Sequence, residues 1–159
     1  MTKKLLTAFF VFFLVPAVYG ADYGYQSVSY PQQNRQHIGK QIARHAINQI
    51  GIPYRFGGAT PSGGFDCSGL VQYTHRLAGI RTPRNSITLL RAIKPIPVSQ
   101  LQPGDLIFYL IRESKVTHVG IYIGNGRFVH APKPGKNVKT ESLHNPFWHN
   151  RIVSTGRLY

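Results

Sequence analysis

A single cysteine and two histidines are the residues of this chain whose types and spacing best suit chemistry. Cys67 lies in the run Gly-Phe-Asp-Cys-Ser-Gly-Leu at 64–70, and His118 and His130 follow inside apolar, strand-like segments. The thiolate is the reactive form of cysteine, and a histidine within hydrogen-bond reach can act as its general base. The pattern predicts a cysteine nucleophile that works with a histidine.

Other interpretations of these residues stay open at this point. A histidine in an apolar strand is more often a hydrogen-bonded core residue than a catalyst, and a lone cysteine can be buried and inert. A zinc site is less well supported, because the chain has no H-x-x-x-H, H-E-x-x-H or C-x-x-C spacing and only five acidic residues. We therefore predict no metal and no other cofactor. The remaining histidines lie among charged or turn-forming neighbours and are interpreted as solvated or packing residues: His37, His45, His75, His144 and His149.

The nucleophile is predicted to begin a helix. The apolar spacing after Cys67 indicates a helix that Gly79 ends. The first turn of a helix has unpaired N–H groups and the positive end of the helix dipole, which favour a thiolate and can hold an oxyanion. We expect the pKa of the Cys67 thiol to be lowered there.

The elements around the nucleophile predict an α+β fold. An amphipathic helix is expected to start with Asn34 as its cap and to stop at Gly51. Strands are predicted at 105–110, 116–123, 127–131 and 152–158. Helices followed by antiparallel strands predict N-terminal helices packed on one face of a sheet.

The hairpin that carries both histidines decides whether their rings can meet. The Asn-Gly pair at 125–126 is a strong turn signal. A plain two-residue turn would place His118 and His130 on opposite faces of the sheet, because side chains alternate along a strand. A three-residue loop over 124–126, with its last glycine left-handed in a bulge, would make the rings diagonal neighbours on one face. We therefore predict this odd-length loop, with the His118 ring between Cys67 and His130.

The N-terminus predicts export. Residues 1–20 have two lysines followed by a short apolar stretch and small residues, which is typical of a signal peptide, and cleavage is expected after Gly20. Residues 21–33 are predicted to be a flexible leader and 34–159 a single domain. No cysteine lies near the cleavage point and no second long apolar run follows, so we expect no lipid anchor and no transmembrane segment. The mature chain is expected to be a periplasmic or extracellular monomer.

The charge favours anionic partners. The chain has 19 Lys and Arg against 5 Asp and Glu, and removal of Lys3 and Lys4 with the signal peptide leaves 17 against 5, a surplus of +12. The basic residues are scattered and form no nucleic-acid motif, so specific nucleic-acid binding is not predicted. Anionic cell-envelope polymers are the expected partners.

Three ordered motifs closely resemble the NlpC-type peptidoglycan cysteine peptidases. They are Phe-Asp-Cys-Ser-Gly-Leu at 65–70, Leu-Gln-Pro-Gly-Asp-Leu at 101–106 and His-Val-Gly-Ile-Tyr-Ile-Gly-Asn-Gly-Arg-Phe-Val-His-Ala at 118–131. The resemblance runs from about Ile38 to Tyr159. It implies a papain-like fold and hydrolysis of amide bonds in the peptide stems or cross-links of peptidoglycan through an acyl-enzyme.

The resemblance also implies a role for each matching residue. Cys67 would be the nucleophile, His118 the base and His130 the third member, which orients His118. Three further residues would shape the substrate site: Tyr54, Asp66 and Ser68.

Two departures from the family pattern and three alternative functions accompany this resemblance. Residues 87–90, where family members often have a glutamine, are Ile-Thr-Leu-Leu and mostly apolar, and no separate wall-binding repeat is present. An amidase or an acyltransferase acting on cell-envelope substrates would use the same cysteine and histidines. A catalytically inert wall-binding protein is the alternative from another class.

Overall fold

A computed structural model describes residues 31–111 and 118–159 of the chain. The predicted signal peptide and nearly all of the predicted leader lie outside the described residues, as does the predicted start of the second strand. Among the described residues, no helix is both long enough and apolar enough to cross a membrane. The helices are α1 (Gln32–Ile47), α2 (Cys67–Leu77), α3 (Ser86–Ala92) and α4 (Pro146–His149). The strands are β1 (Ala59–Thr60), β2 (Gly64–Phe65), β3 (Lys94–Pro95), β4 (Leu106–Tyr109), β5 (His118–Gly124), β6 (Arg127–His130), β7 (Lys139–Ser142) and β8 (Ile152–Arg157).

A six-stranded antiparallel sheet forms the centre of the fold. Its strand order is β3-β8-β4-β5-β6-β7, and β1 pairs with β2 in a separate two-stranded ribbon. The helices α1 and α2 contact β5. This arrangement confirms the predicted α+β class.

The sheet has a hydrophobic core on each face, and alternate residues of β4 belong to one core or the other. Leu106 and Phe108 belong to the larger core with the helices, whereas Ile107 and Tyr109 belong to a smaller core on the other face. Because successive side chains of a strand point to opposite faces, a fully apolar strand is buried on both. All four residues of β4 are buried.

The first helix begins earlier than its sequence signals indicate. The N-cap is Pro31, and it makes no side-chain cap hydrogen bond, so the prediction of Asn34 as the cap is wrong. Proline has no N–H to leave unpaired and its fixed φ suits a helix start, so the helix begins next to it without a side-chain acceptor. The apolar face that includes Ile38 and Ile42 is buried as expected.

Other elements agree in part with the sequence predictions. The helix that starts at Cys67 is confirmed, and so are the strands corresponding to β4, β6 and β8, within one or two residues at each end. The sequence patterns did not predict α3, α4, β1, β2, β3 or β7, each of seven residues or fewer. Such short elements contain too few turns or alternations to show a period.

The β5–β6 hairpin has the predicted register but reaches it by another route. Ile121 pairs with Val129, which is the register of an odd-length loop, yet Gly124 pairs with Arg127 across a two-residue turn. The register shifts between these pairs because β5 contains one extra residue, Ile123, as a bulge. The predicted three-residue loop is therefore wrong.

The turn itself explains why the bulge lies in the strand. Asn125 and Gly126 have φ values of 52° and 65°, and positive φ at both central residues is the signature of the type I′ turn that best matches strand twist. The Asn-Gly turn is thus kept at two residues, and the bulge supplies the one-residue shift. His118 and His130 consequently lie on the same face of the sheet.

Candidate active site

The turn that leads into α2 is held by the carboxylate of Asp66. Asp66 is the N-cap of α2, and its Oδ1 accepts a hydrogen bond of 2.6 Å from the backbone N–H of Gly69. Its Oδ2 accepts one of 2.9 Å from the N–H of Gly57, which ties the preceding loop to the helix. Cys67 is thereby fixed as the first helical residue, next to the unpaired N–H groups of the first turn.

Arg84 completes the hydrogen bonding of this turn. Its guanidinium donates to Oδ1 and Oδ2 of Asp66 at 2.9 and 2.8 Å, to the Ser68 hydroxyl at 2.9 Å and to the Gly58 carbonyl at 3.3 Å. Burial acts to raise the pKa of Asp66, but the hydrogen bonds from Arg84 and Gly69 outweigh it and hold that pKa below its ordinary value. Asp66 is therefore an anion at neutral pH.

The side chains of Asp66 and Ser68 have their hydrogen-bond partners within the protein. Ser68 donates to Asp66 at 3.2 Å while it accepts from Arg84, and both residues are less than a tenth exposed. What the structure supports for these two side chains is the positioning of the turn at Cys67. Their contact with substrate remains a prediction.

Two glycines allow the loop before β1 to touch α2. A Cβ atom on Gly69 would overlap the carbonyl oxygen of Gly58, and one on Gly58 would overlap the carbonyl oxygen of Gly64. Only residues without side chains permit this close backbone approach. The approach brings the Gly58 carbonyl within reach of Arg84.

The surroundings of the Cys67 sulfur oppose its ionisation. Burial raises the pKa of the Cys67 thiol above its ordinary value and the charge of Asp66 adds to this, whereas the N–H groups of Val119, Ser68 and Cys67 itself act to lower it. The net shift is upward. The expectation of a lowered pKa is therefore wrong, because desolvation outweighs the N–H groups of the helix start.

His118 and His130 form a buried pair. Nε2 of His118 lies 2.8 Å from Nδ1 of His130, and the rings are nearly perpendicular, at 82°. Burial lowers the pKa of His118 to about 4 and also lowers that of His130, where the charges of His118 and Lys139 add to the effect. Both rings are thus neutral at pH 7, and the prediction that they meet on one face is confirmed.

The pairing leaves one nitrogen of His118 for chemistry. When Nε2 of His118 carries the proton and donates to His130, its Nδ1 has the free lone pair and can accept a proton. His118 is also the first residue of β5, and the N–H of the next residue, Val119, acts to lower the pKa of the Cys67 thiol. The base candidate is therefore adjacent in the chain to a residue that influences Cys67.

Aromatic rings enclose the histidine pair. The Trp148 ring centroid lies 4.8 Å from that of His130 and 5.7 Å from that of His118. Phe128 lies 5.2 Å from His130, and Tyr109 lies 6.1 Å from His118. This apolar enclosure is the physical cause of the lowered histidine pKa values, because it disfavours an imidazolium.

Tyr54 is held near the Cys67 turn by backbone pairing. Its neighbour Arg55 donates its N–H to the Phe65 carbonyl at 2.9 Å, two residues before Cys67. Burial raises the pKa of Tyr54, and the charges of Cys67 and Asp66 add to the rise. Tyr54 also pairs with Phe65 in a parallel β-bridge, two residues before Cys67. Tyr54 thus lies near the turn that carries Cys67, and its contact with substrate remains a prediction.

A cleft of about 760 Å³ opens beside His118, with Tyr54, Phe56, Phe147 and Trp148 among its walls. Within the described ranges, no three His, Cys, Asp or Glu side chains come together in a way that could hold a metal ion.

The sequence analysis missed Arg84 and Trp148. Arg84 is 18 positions from Asp66, and no local pattern selects it among 19 basic residues. Trp148 is the only tryptophan of the chain and follows an Asn-Pro pair that is a helix-start signal. That signal could have placed a large aromatic residue on a short helix, although not against the histidines.

Two bacterial relatives are similar to this chain in sequence. Murein DD-endopeptidase MepH from Escherichia coli strain K12 is 42% identical over 116 residues, which cover 70% of this chain and 43% of that protein. CwlT from Bacillus subtilis strain 168, a bifunctional muramidase/DL-endopeptidase, is 38% identical over 119 residues, which cover 74% of this chain and 36% of that protein. The chain thus spans less than half the length of either relative.

A solved structure and a family profile complete the comparison. The NlpC/p60 domain of the peptidoglycan hydrolase SagA matches with a TM-score of 0.65 and 34% identity over 75% of this chain and 97% of that domain. The likeness confirms the predicted papain-like fold. The profile of the NlpC/P60 family matches residues 51–157, well over half of the sequence. The chain therefore belongs to the NlpC/P60 family.

Proposed function

We propose that this protein is an exported cysteine endopeptidase that hydrolyses amide bonds in the peptide stems or cross-links of peptidoglycan. The observation that carries the proposal is the 2.8 Å contact between Nε2 of His118 and Nδ1 of His130, with Cys67 at the start of α2. A buried, oriented imidazole beside a lone cysteine is the arrangement that thiol acyl transfer requires. The family membership and the endopeptidase names of two relatives support the same conclusion.

The first half-reaction forms an acyl-enzyme. Nδ1 of His118 takes the proton of the Cys67 thiol while the sulfur attacks the carbonyl carbon of the scissile amide. The N–H groups of Cys67, Ser68 and Val119, which act to lower the pKa of the Cys67 thiol, are the candidate donors to the developing oxyanion. His118 then gives its proton to the leaving amine, and the C–N bond breaks to leave a thioester.

The second half-reaction regenerates the thiol. His118 accepts a proton from a water molecule that attacks the thioester carbonyl, and it returns that proton to the departing sulfur. The products are a free carboxyl group on the acyl half and the restored Cys67 thiol. His130 is a positioning residue here, because it reaches the reacting atoms only through His118.

The decisive test is mass spectrometry of muropeptides released from purified peptidoglycan by the mature protein. Cleavage inside the stem or cross-link releases peptide fragments with new amino and carboxyl ends, and Cys67→Ala should release none. Release of intact stems from the sugar would identify an amidase, and transfer of the acyl group to an added amine or alcohol would identify an acyltransferase. Absence of any product from folded wild-type protein would favour the inert wall-binding protein.

The positive charge gives the proposal a second, independent test. Binding of the mature protein to intact sacculi should weaken as salt rises, because attraction between the +12 surplus and an anionic wall is screened. Hydrolysis of a small soluble muropeptide should depend on salt much less. Equal salt sensitivity of the two would contradict a role of the charge in finding the wall.

A further inference from the structure

The cleft beside His118 has a basic wall. Lys133 and Lys136 line it and are exposed to solvent, whereas its other walls include the aromatic residues Tyr54, Phe56, Phe147 and Trp148. Lys139 also lines the cleft, but its amino group lies 2.5 Å from the carboxylate of Glu141. Lys133 and Lys136 are therefore the two lysines of this wall that are placed to meet an anion.

The loop that carries these lysines is fastened to the active site. The N–H of Tyr54 donates to the Lys136 carbonyl at 2.8 Å, and the N–H of Val138 donates to the Ile52 carbonyl at 2.8 Å. Tyr54 in turn lies near Cys67, and the charge of Cys67 contributes to the raised pKa of the tyrosine. The basic wall is thus positioned by the same backbone pairing that positions a residue next to the nucleophile.

The position of the cleft shows which half of the substrate it would hold. In thiol acyl transfer the histidine protonates the leaving amine, so the leaving half lies on the histidine side of the sulfur. The cleft is lined by His118, whereas Cys67 and Ser68 are not among its lining residues. A substrate bound at Cys67 would therefore extend its leaving half into this cleft.

Charge complementarity specifies the chemistry of that half. Among residues 31–111 and 118–159, no carboxylate side chain lines the cleft. Each carboxylate side chain in those ranges already has a basic partner, in the pairs Asp66–Arg84, Asp105–Arg157 and Glu141–Lys139. The two exposed ammonium groups favour an anion, because the flexible lysine stems let each charge move to meet it. The apolar walls favour an aliphatic part next to that anion.

We propose that Lys133 and Lys136 bind a free carboxylate on the leaving half of the stem peptide, so that the enzyme selects stems with a carboxylate over stems in which that group is a carboxamide. The inference rests on the proposed endopeptidase function and adds a specificity to it. Exposed ion pairs contribute modestly, so two of them give a preference of roughly two- to tenfold in kcat/KM.

The test uses two soluble muropeptides that differ only in whether the leaving residue carries a carboxylate or a carboxamide. Wild type should cleave the carboxylate form with the higher kcat/KM, and the difference should lie in KM. The double variant Lys133→Gln/Lys136→Gln should cleave both forms with the same kcat/KM. The matched control Lys40→Gln/Lys94→Gln, which removes two exposed lysines outside the cleft, should keep the wild-type preference.

Salt provides a measurement that needs no variant. The preference of wild type for the carboxylate form should shrink toward unity as ionic strength rises, because the contact is solvent-exposed. Equal cleavage of both forms by wild type at low salt, or loss of the preference in the control variant, would overturn the carboxylate site while leaving the endopeptidase in place. Failure of wild type to cleave either form would instead overturn the proposed function.

Discussion

Replacement of Arg84 by methionine should weaken both the fold and the catalysis, since it removes the cation from the turn that carries Cys67. Hydrogen bonds to charged groups contribute about 1.5–3 kcal/mol each. The Arg84 side chain is 37% exposed, however, so solvent screens part of its contribution, and Asp66 keeps its hydrogen bonds from Gly57 and Gly69. We expect Arg84→Met to lower the free energy of unfolding by about 2 kcal/mol, which corresponds to a Tm lower by about 8 °C.

The chain offers a matched control in its other forked arginine–aspartate pair. Arg157 donates to both oxygens of Asp105 at 2.6 and 2.8 Å, its side chain is 15% exposed, and that of Asp105 is fully buried. Arg157→Met should therefore cost at least as much, about 3 kcal/mol. Asp105 immediately precedes β4 and is four residues from Tyr109, which pairs with His118 on β5, a distance of about 13 Å at the rise of a strand.

The two variants should thus separate stability from catalysis. In calorimetry both lower Tm. In an assay of soluble muropeptide cleavage run well below either Tm, Arg84→Met should lose about tenfold or more in kcat/KM, because a shift of the Cys67 turn changes the angle of attack. Arg157→Met should stay near wild type. If Arg84→Met kept wild-type kcat/KM despite its lower Tm, the Asp66–Arg84 pair would have no part in positioning the sulfur and the reasoning would fail.

Three further predictions concern the candidate catalytic residues and two buried side chains. Cys67→Ala and His118→Ala should abolish hydrolysis with unchanged circular dichroism. His130→Ala should leave measurable hydrolytic activity, because water can partly replace an orienting ring. Wild-type turnover in Cys67→Ala would contradict the nucleophile assignment. Burial lowers the pKa of His75 to about 4 and keeps the ring neutral in the folded protein. In the unfolded chain the same ring takes up a proton near pH 6.5. The stability present above pH 6.5 is therefore lost as the pH falls from 6.5 to 4. His75→Leu should therefore lose less unfolding free energy than wild type between pH 7 and pH 4 in urea titrations, by about 3 kcal/mol, and an unchanged pH dependence would refute this. The Tyr109 hydroxyl is buried and has no hydrogen-bond partner among the described residues. Tyr109→Phe should therefore change the free energy of unfolding by less than about 0.5 kcal/mol or raise it. A loss above about 1 kcal/mol in urea titrations would mean that the hydroxyl has a hydrogen-bond partner in solution.

Much of the frame around the site could be predicted because its signals are local. Helix α2 begins at the cysteine and is followed by Gly79, as the apolar spacing indicated. The strands β5 and β6 flank an Asn-Gly turn that has few alternatives. The odd parity of the hairpin could be derived from the requirement that His118 and His130 share a face.

The electrostatics of the site could not be predicted, since they depend on tertiary contacts. The helix start at Cys67 suggested a lowered thiol pKa, but the sulfur lies against β5, and the desolvation there outweighs the N–H groups. No sequence window contains both α2 and β5. The bond of Asp66 to Arg84 has the same character, because it joins α2 to a loop 18 residues away.

The raised pKa of Cys67 and the lowered pKa of His118 have one origin and one consequence for the proposed mechanism. Burial disfavours each charge separately, so a neutral thiol and a neutral imidazole predominate at pH 7. Protonation of His118 at that pH costs about 3 kcal/mol more than protonation of an ordinary histidine. Because an adjacent thiolate or oxyanion offsets this cost in the same low-dielectric surroundings, the imidazolium becomes favourable only as the sulfur attacks. In the proposed mechanism, the enclosure by Trp148 and its aromatic neighbours would therefore couple proton transfer to bond formation. A thiolate–imidazolium pair formed before the attack would instead have released that stabilisation in the ground state.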